Sequence, residues 1–363
     1  MPSSIWPFDT LRELPPLRDD TAITSITCFV ASPFKPTERW DDLLALIKHV
    51  ARLIAADLRI PINCQRADEI SSAGFIQAEI WQAIRDADII ICDVTGQNGN
   101  VMMELGVAAT IRRKESIIIL RETDDERPHL FDISPARHIE YCRSFEGYQK
   151  LVRDLGNAMA HCLATIPFTP LPPRIVPLPF EARLDDGRDR PELYTPDITH
   201  RCVLVDCLEF GAPLRYRWSW MSLGDLTVPN VRVRAEMTMR PPIGHPDFFM
   251  GVMVRGQSFF ANYGYLTVVR ENGNVTMSYP KDDSLAARED VLGNLGPVSL
   301  GQFSSFDVAI DDHALHVKVT SGDQSVEARR SVADLPYLFT TGRVVFIAAF
   351  CRAGIRDIAI ERI

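Results

Sequence analysis

Ala87-Asp-Ile-Ile-Ile-Cys-Asp-Val-Thr-Gly-Gln-Asn-Gly-Asn-Val-Met-Met-Glu-Leu-Gly-Val-Ala-Ala-Thr110 decides the fold of the first half of the chain. Ile89, Ile90 and Ile91 form a β-branched apolar run, the pattern of a strand buried on both faces. Asp93 stands where that strand is expected to end. Residues 95–100 are turn and cap residues: Gly96 and Gly99 permit positive φ, and Asn98 or Asn100 suits the N-cap of a following helix. Val101, Leu105 and Ala108 recur at helical spacing and are expected to face the sheet, with Gly106 allowing close approach. The pattern therefore carries Asp93 and Glu104 to the carboxyl end of a parallel sheet, where open α/β folds bind ligands.

The totals frame this reading. At 363 residues the chain exceeds one ordinary core and suits two domains. Its 46% hydrophobic and 24% charged residues are those of an ordinary globular protein. A formal charge of −9 argues against binding along a nucleic-acid backbone. It leaves room for a small phosphorylated ligand held by a few local cations. No apolar run approaches the roughly 18 residues of a membrane span. The first ten residues lack the basic and apolar regions of a signal peptide. The eight cysteines form no Cys-x-x-Cys pair, so neither a zinc site nor a disulfide framework follows from spacing. A cytoplasmic protein is expected, without metal or cofactor and outside the membrane.

Residues 1–20 read as an extended arm. A strand at 23–31 leads to Ser32-Pro33-Phe34, and a long amphipathic helix, 40–58, carries Leu43, Leu44, Ile47, Val50 and Ile54 on one stripe. A second strand near 60–64 precedes Arg66-Ala67-Asp68-Glu69, and a helix over 74–85 carries Ile76, Ile80 and Ile84. After the opening stretch come an apolar run (117–120), a loop (128–133), a short edge strand (139–141) and a helix over 145–163. This alternation predicts a flavodoxin- or Rossmann-like doubly wound parallel sheet over 21–165.

Six prolines between 167 and 179 mark a stiff connector, placed at 166–196. Beyond it helical periodicity gives way to short alternating runs. They fall at 231–239, 249–254, 265–269, 275–279, 306–310, 315–319 and 344–350, with hairpin signals at Asn272-Gly273 and Asp311-Asp312. A jelly-roll β-sandwich over 197–363 is expected. Phe259, Phe260, Tyr263 and Tyr265 have the chemistry to stack on sugars, but strand aromatics more often fill cores. His245, His313 and His316 lack metal-ligand spacing, and Asp282-Asp283 alone makes a weak calcium signal.

Several of these motifs, in this order, resemble the nucleoside 2-deoxyribosyltransferase-like and TIR-like families, in their predicted nucleotide-binding branch. They are Phe29-Val30-Ala31-Ser32-Pro33-Phe34, Arg66-Ala67-Asp68-Glu69, Ala87 through Gly106, and Phe131-Asp132-Ile133 with Arg137 and Ile139-Glu140-Tyr141. The resemblance covers about residues 21–165 and implies cleavage of an N-glycosidic bond in a nucleotide, nucleoside or NAD. It implies that Glu104 attacks or stabilises the ribosyl C1′, where departure of the base develops an oxocarbenium-like cation. Asp93 and Asp68 are then the candidates for holding ribose hydroxyls or protonating the base. Substrate binding falls to Ser32, Pro33, Phe34, Arg66, Asn98, Asn100 and Met103, with Arg66 suited to bidentate contacts.

The chain departs from that pattern at three places. Gly99 stands where relatives usually have Pro, Met103 where Tyr is common, and Ala109 where His is frequent. The last two changes remove an aromatic hydroxyl and a proton donor. The C-terminal half loosely resembles concanavalin-like and laminin-G-like domains, which implies a glycan or protein partner. A homo-oligomer and a role as a stress or antiphage effector are also expected. Two rival readings remain open: a non-catalytic nucleotide sensor, and a glycan-binding protein whose α/β half is a scaffold.

Overall fold

A computed structural model describes residues 23–33, 38–70, 76–125, 138–196, 201–211, 218–241, 247–258, 264–280, 287–335 and 339–363. The chain divides into two compact units, Met1–Leu171 and Pro172–Ile363. Among the described residues no helix is long and apolar enough to cross a membrane.

The first unit is a five-stranded parallel sheet: β1 (Ile26–Ala31), β2 (Ile62–Arg66), β3 (Ile89–Asp93), β4 (Ile117–Glu122) and β5 (His138–Tyr141). Its strands lie in the order β2-β1-β3-β4-β5. That is the order of flavodoxin-type doubly wound sheets, with the switch point between β1 and β3. Four helices accompany it among the described residues: α1 (Glu38–Leu58), α2 (Ile76–Asp86), α3 (Gly99–Ile111) and α4 (Phe145–Leu163). Every residue of β3 is buried, as its Ile run requires. Strand alternation sends Phe29, Ala31, Ile90 and Cys92 into one cluster with Ile80, Trp81 and Ile84 of α2 and Val101, Leu105 and Ala108 of α3. Helices α1 and α4 pack on each other and on β2 and β5. The predicted stripe of α1 is buried throughout.

Two glycines differ from expectation. Gly96 does adopt φ +74°, but Gly99 begins α3 with no positive φ. Gly106 is exposed, and a methyl group there would meet nothing within 4 Å, so it mediates no close approach. The helix meets the sheet through Val101, Leu105 and Ala108 instead.

The second unit is a β-sandwich of two antiparallel sheets. One runs β15 (Ala287–Asn294), β14 (Asn274–Pro280), β13 (Tyr265–Arg270), β12 (Phe249–Gly256), β19 (Gly342–Ala349), β10 (Trp218–Val228), β7 (Leu193–Tyr194). The other runs β18 (Gln324–Ser331), β17 (Ala314–Ser321), β16 (Ser304–Ile310), β11 (Val231–Arg240), β20 (Arg352–Arg362), β9 (Leu208–Gly211), β8 (Arg201–Val203), with β6 (Phe180–Ala182) also on β20. Alternate residues of both sheets interdigitate in one core, including Val233, Val252, Met277, Phe306, Val317 and Phe346.

Both predicted hairpins form. Gly273 turns β13 into β14 at φ +81°, and the Asp311 carboxylate accepts the His313 and Ala314 N–H groups, both at 2.7 Å. The stretch 166–196, expected as a connector, divides between the units. The Leu171 N–H bonds to Arg59 O (2.6 Å) in the first unit. Val176, Leu184 and Leu193 enter the sandwich core, and β6 and β7 add to its two sheets. The extended backbone that proline imposes is already close to strand geometry, and the apolar residues between the prolines supply the anchors.

Arg255 pins the sandwich from inside. Its side chain is 1% exposed, and it donates from Nε to Pro229 O (2.7 Å) and from Nη1 to Phe339 O (2.8 Å). Nη2 donates to Asn230 Oδ1 and Asp311 O, both at 3.1 Å. One guanidinium thus ties the β10–β11 and β16–β17 turns to the segment entering β19.

Candidate functional site

The parallel register aligns the strand ends. Val30 lies beside Arg66, Ala31 beside Cys92, and Asp93 beside Leu120. Ser32 therefore emerges at the switch point next to Asp93, with Arg66 one strand away on the other side. Ser32 is 6% exposed, and among the described residues its Oγ has no hydrogen-bond partner. Pro33 is buried beside it. Phe34 lies outside the described residues, as do Phe131, Asp132, Ile133 and Arg137.

Glu104 sits in the second turn of α3, on the buried face that also carries Val101, Leu105 and Ala108. It is 5% exposed, and among the described residues burial alone acts on its carboxyl group, with no hydrogen bond or ion pair contributing. Desolvation pushes its pKa from the ordinary 4.5 up to about 7. Cys92 projects into the same cluster beneath α3. Burial, and secondarily the charges of Glu104 and Asp93, hold its thiol well above the usual range.

Alternation turns Asp93 away from Cys92, toward the opposite face. There its 0% exposed carboxylate is fully engaged. Oδ1 accepts the Thr95 N–H (3.1 Å) and the Thr95 hydroxyl (2.5 Å), and Oδ2 accepts the Tyr141 hydroxyl (3.3 Å). Thr95 Oγ1 in turn accepts the Glu122 N–H (2.9 Å), while Gly96 N–H donates to Asp125 Oδ2 (3.0 Å). Asp93 is thus a clamp on the turn that launches α3. In this arrangement Thr95 and Tyr141 occupy both of its carboxylate oxygens.

Arg66 and Asp68 form a bidentate pair: Nε to Oδ1 at 2.7 Å and Nη2 to Oδ2 at 2.6 Å. The Arg66 side chain is buried while Asp68 is partly exposed. The guanidinium holds the Asp68 carboxyl below its ordinary pKa, which favours its ionised form near neutrality. Glu69 accepts the Arg66 N–H (3.0 Å) and pairs with Lys48. The fork expected to grip phosphate is turned onto a neighbour two residues away. Asn98 caps α3, its Oδ1 accepting from Asn100 N (3.0 Å) and Val101 N (3.4 Å). Asn100 and Met103 are exposed on the outer surface of that helix.

Among the described residues, Ser32 and Glu104 are thus two buried groups without hydrogen-bond partners at the switch-point end of the sheet, Ser32 on the face of Asp93 and Glu104 on the α3 side. It assigns Asp93, Arg66, Asp68 and Asn98 local structural bonds. Sequence reading passed over Thr95, Asp125 and the hydroxyl of Tyr141. The Asp-x-Thr spacing at 93–95 was the available signal, since such residues bond backbone groups two positions away. A separate cavity of about 320 Å³ lies beside β1, β2 and α2, bordered by Thr27, Asn63, Gln65, Gln82 and Asp86. None of the expected site residues lines it.

In the sandwich, Tyr265 is a core residue. It is buried edge-to-face against Phe339 at 5.8 Å, and its hydroxyl accepts the Phe339 N–H (3.2 Å). Phe259, Phe260, Tyr263, His245, Asp282 and Asp283 lie outside the described residues. His316 meets Glu327 at 3.0 Å across β17 and β18.

No family model and no curated protein matches this chain. Solved structures similar to it include the carbohydrate-binding module CBM66 from Bacillus subtilis, at 14% identity and TM-score 0.36. That match spans 47% of this chain and 95% of the module. The Bacteroides ovatus xyloglucan PUL GH43B protein matches at 12% identity and TM-score 0.37, over 55% of this chain and 41% of that one. The apo Crh5 transglycosylase matches at 10% identity and TM-score 0.39, over 53% and 88%. None of them supports the deoxyribosyltransferase-like or TIR-like resemblance, which stands on its motifs.

Proposed function

We propose that the α/β unit binds a nucleotide, nucleoside or NAD and cleaves its N-glycosidic bond at Glu104. The observation that carries this reading is a buried carboxyl group without a partner among the described residues, beside the switch point of a doubly wound sheet. Structural carboxylates in such places acquire partners, as Asp93 has, because an unpaired buried charge is costly. A group left bare and titrating near neutrality is the arrangement expected of a reacting carboxyl.

When the base departs with the electron pair of its bond to C1′, positive charge develops on the sugar. An ionised Glu104 meets that charge, either as an ion pair or by forming an ester that water or another acceptor then opens. Desolvation raises the energy of the free carboxylate and so favours its pairing with the cation. This role needs the ionised form, so kcat/KM for base release should rise with pH through an apparent pKa of about 7. A rate that instead falls through that value would make Glu104 the proton donor to the leaving base.

Two other readings have specific support. Binding without cleavage is favoured by the engagement of Asp93 and of the Arg66–Asp68 pair, which leaves Glu104 without an evident second catalytic group. A glycan-binding protein with an α/β scaffold is favoured by what the similar structures are called, a carbohydrate-binding module among them. That likeness concerns fold and supplies no binding residues. Glycan binding by the full chain, in the absence of any affinity for nucleotides, would establish it.

A further inference from the structure

The first unit also carries a pair of cysteines on adjacent strands, apart from Glu104. Cys28 of β1 and Cys64 of β2 are register partners in adjacent parallel strands. Side chains at paired positions project to the same face, and neighbouring strands lie about 4.8 Å apart. That separation falls within the roughly 4.4–6.8 Å between Cα atoms that a disulfide accepts. Both thiols are free. Burial and the neighbouring Cys64 hold the Cys28 thiol above its ordinary range. The pair is unequal in access: Cys28 is 2% exposed, whereas Cys64 is half-buried on the outermost strand of the sheet.

We infer that Cys28 and Cys64 are a reversible oxidation site, converted to a cross-strand disulfide by a peroxide. Cys64, the reachable thiol, attacks the peroxide as its thiolate. A sulfur–oxygen bond forms, the O–O bond breaks, and the departing hydroxide takes a proton as water. The Cys28 sulfur then attacks the Cys64 sulfenic acid, the S–O bond breaks, and hydroxide leaves with the Cys28 proton as a second water. Two thiols lose two electrons to one hydrogen peroxide, and a dithiol reductant reverses the change. The bond fixes the edge strand to β1 two residues before Arg66 and four before Ser32. Cys162 of α4 also lies within electrostatic range of Cys28 and is the competing partner.

The test uses the full chain, reduced and then treated with hydrogen peroxide. Remaining thiols are alkylated after unfolding, and the digest is read by mass spectrometry. The expected result is the Cys28 and Cys64 peptides joined, two hydrogens lighter than their sum, and separated again by dithiothreitol. The joined species should be the main product, persist in Cys162→Ser and vanish in Cys64→Ser. Cys28 fully alkylated while Cys64 carries sulfinic acid would overturn the proposal, as would Cys28 joined to Cys162. The mapping in the unsubstituted chain decides the matter even if Cys64→Ser does not fold.

Discussion

Glu104→Gln should lower base release about 1,000-fold, in the range a single acid–base or electrostatic carboxyl supplies, while making the protein more stable above neutral pH. Both effects come from the same burial. Glu104 binds its proton more tightly in the folded state, at about 7 against 4.5 when exposed. The folded chain therefore holds more protons between those values, and stability falls as pH rises through that window. Below 4.5 both states are protonated and there is no penalty; above about 7 it is constant. Its size is about 3 kcal/mol, at about 1.4 kcal/mol per tenfold change in proton affinity. A neutral glutamine of the same shape removes that cost. Thermal unfolding at pH 8 should show the variant more stable than the parent, with the gap closing toward pH 4.5. A normally folded variant with unchanged base release would take Glu104 out of the mechanism. An unchanged stability difference across this pH range would show that its carboxyl is not desolvated.

Arg255→Met is expected to be the most damaging single change in the sandwich. Methionine fills much of the volume but leaves the carbonyls of Pro229, Phe339 and Asp311 without their donor. Orphaned acceptors cost about 1–3 kcal/mol each, and water entering from the turns recovers part of that. A net loss of about 3 kcal/mol follows, or a fall in melting temperature of roughly 6–12 °C for a unit of this size. Arg255→Lys should rescue little, because one ammonium cannot reproduce a fork aimed at several acceptors. Near-ultraviolet circular dichroism followed against temperature measures the effect. A shift under about 2 °C would mean that the turns hold themselves without the guanidinium.

The first unit was largely readable because its strands and helices carry unambiguous periods. The Ile run of β3 and the stripe of α1 each fit only one element, and α4 begins and ends where Ser144 and its apolar spacing place it. The roles of Asp93 and Glu104 were not separable from sequence. One strand position decides which face a side chain takes, and Asp93 fell on the side where Thr95 and Tyr141 wait for it. The Arg66–Asp68 pair was equally hidden, since a guanidinium two residues from a carboxylate fits a phosphate clamp and an ion pair alike.

In the second unit, strands buried on one side announced themselves by alternation. Strand β10 did not: it is buried on both faces over much of its length, and Gly224 at φ +51° accompanies a register shift between Ser222 and Thr227. Strand β18 is polar and largely exposed at a sheet edge, which blunts edge pairing and erases the pattern. Strands β6 and β7 were masked by the surrounding prolines.

The central claim is that a nucleotide-derived ligand loses its base at the Glu104 site. Its most direct test is to incubate the full chain with NAD, ribonucleosides, deoxynucleosides and their phosphates, and to quantify released base by chromatography beside Glu104→Gln. The account predicts release from at least one class by the parent chain and loss of that release in the variant. Binding by calorimetry without release of base from any member, at pH values on both sides of 7, would contradict it and leave the pocket a sensor.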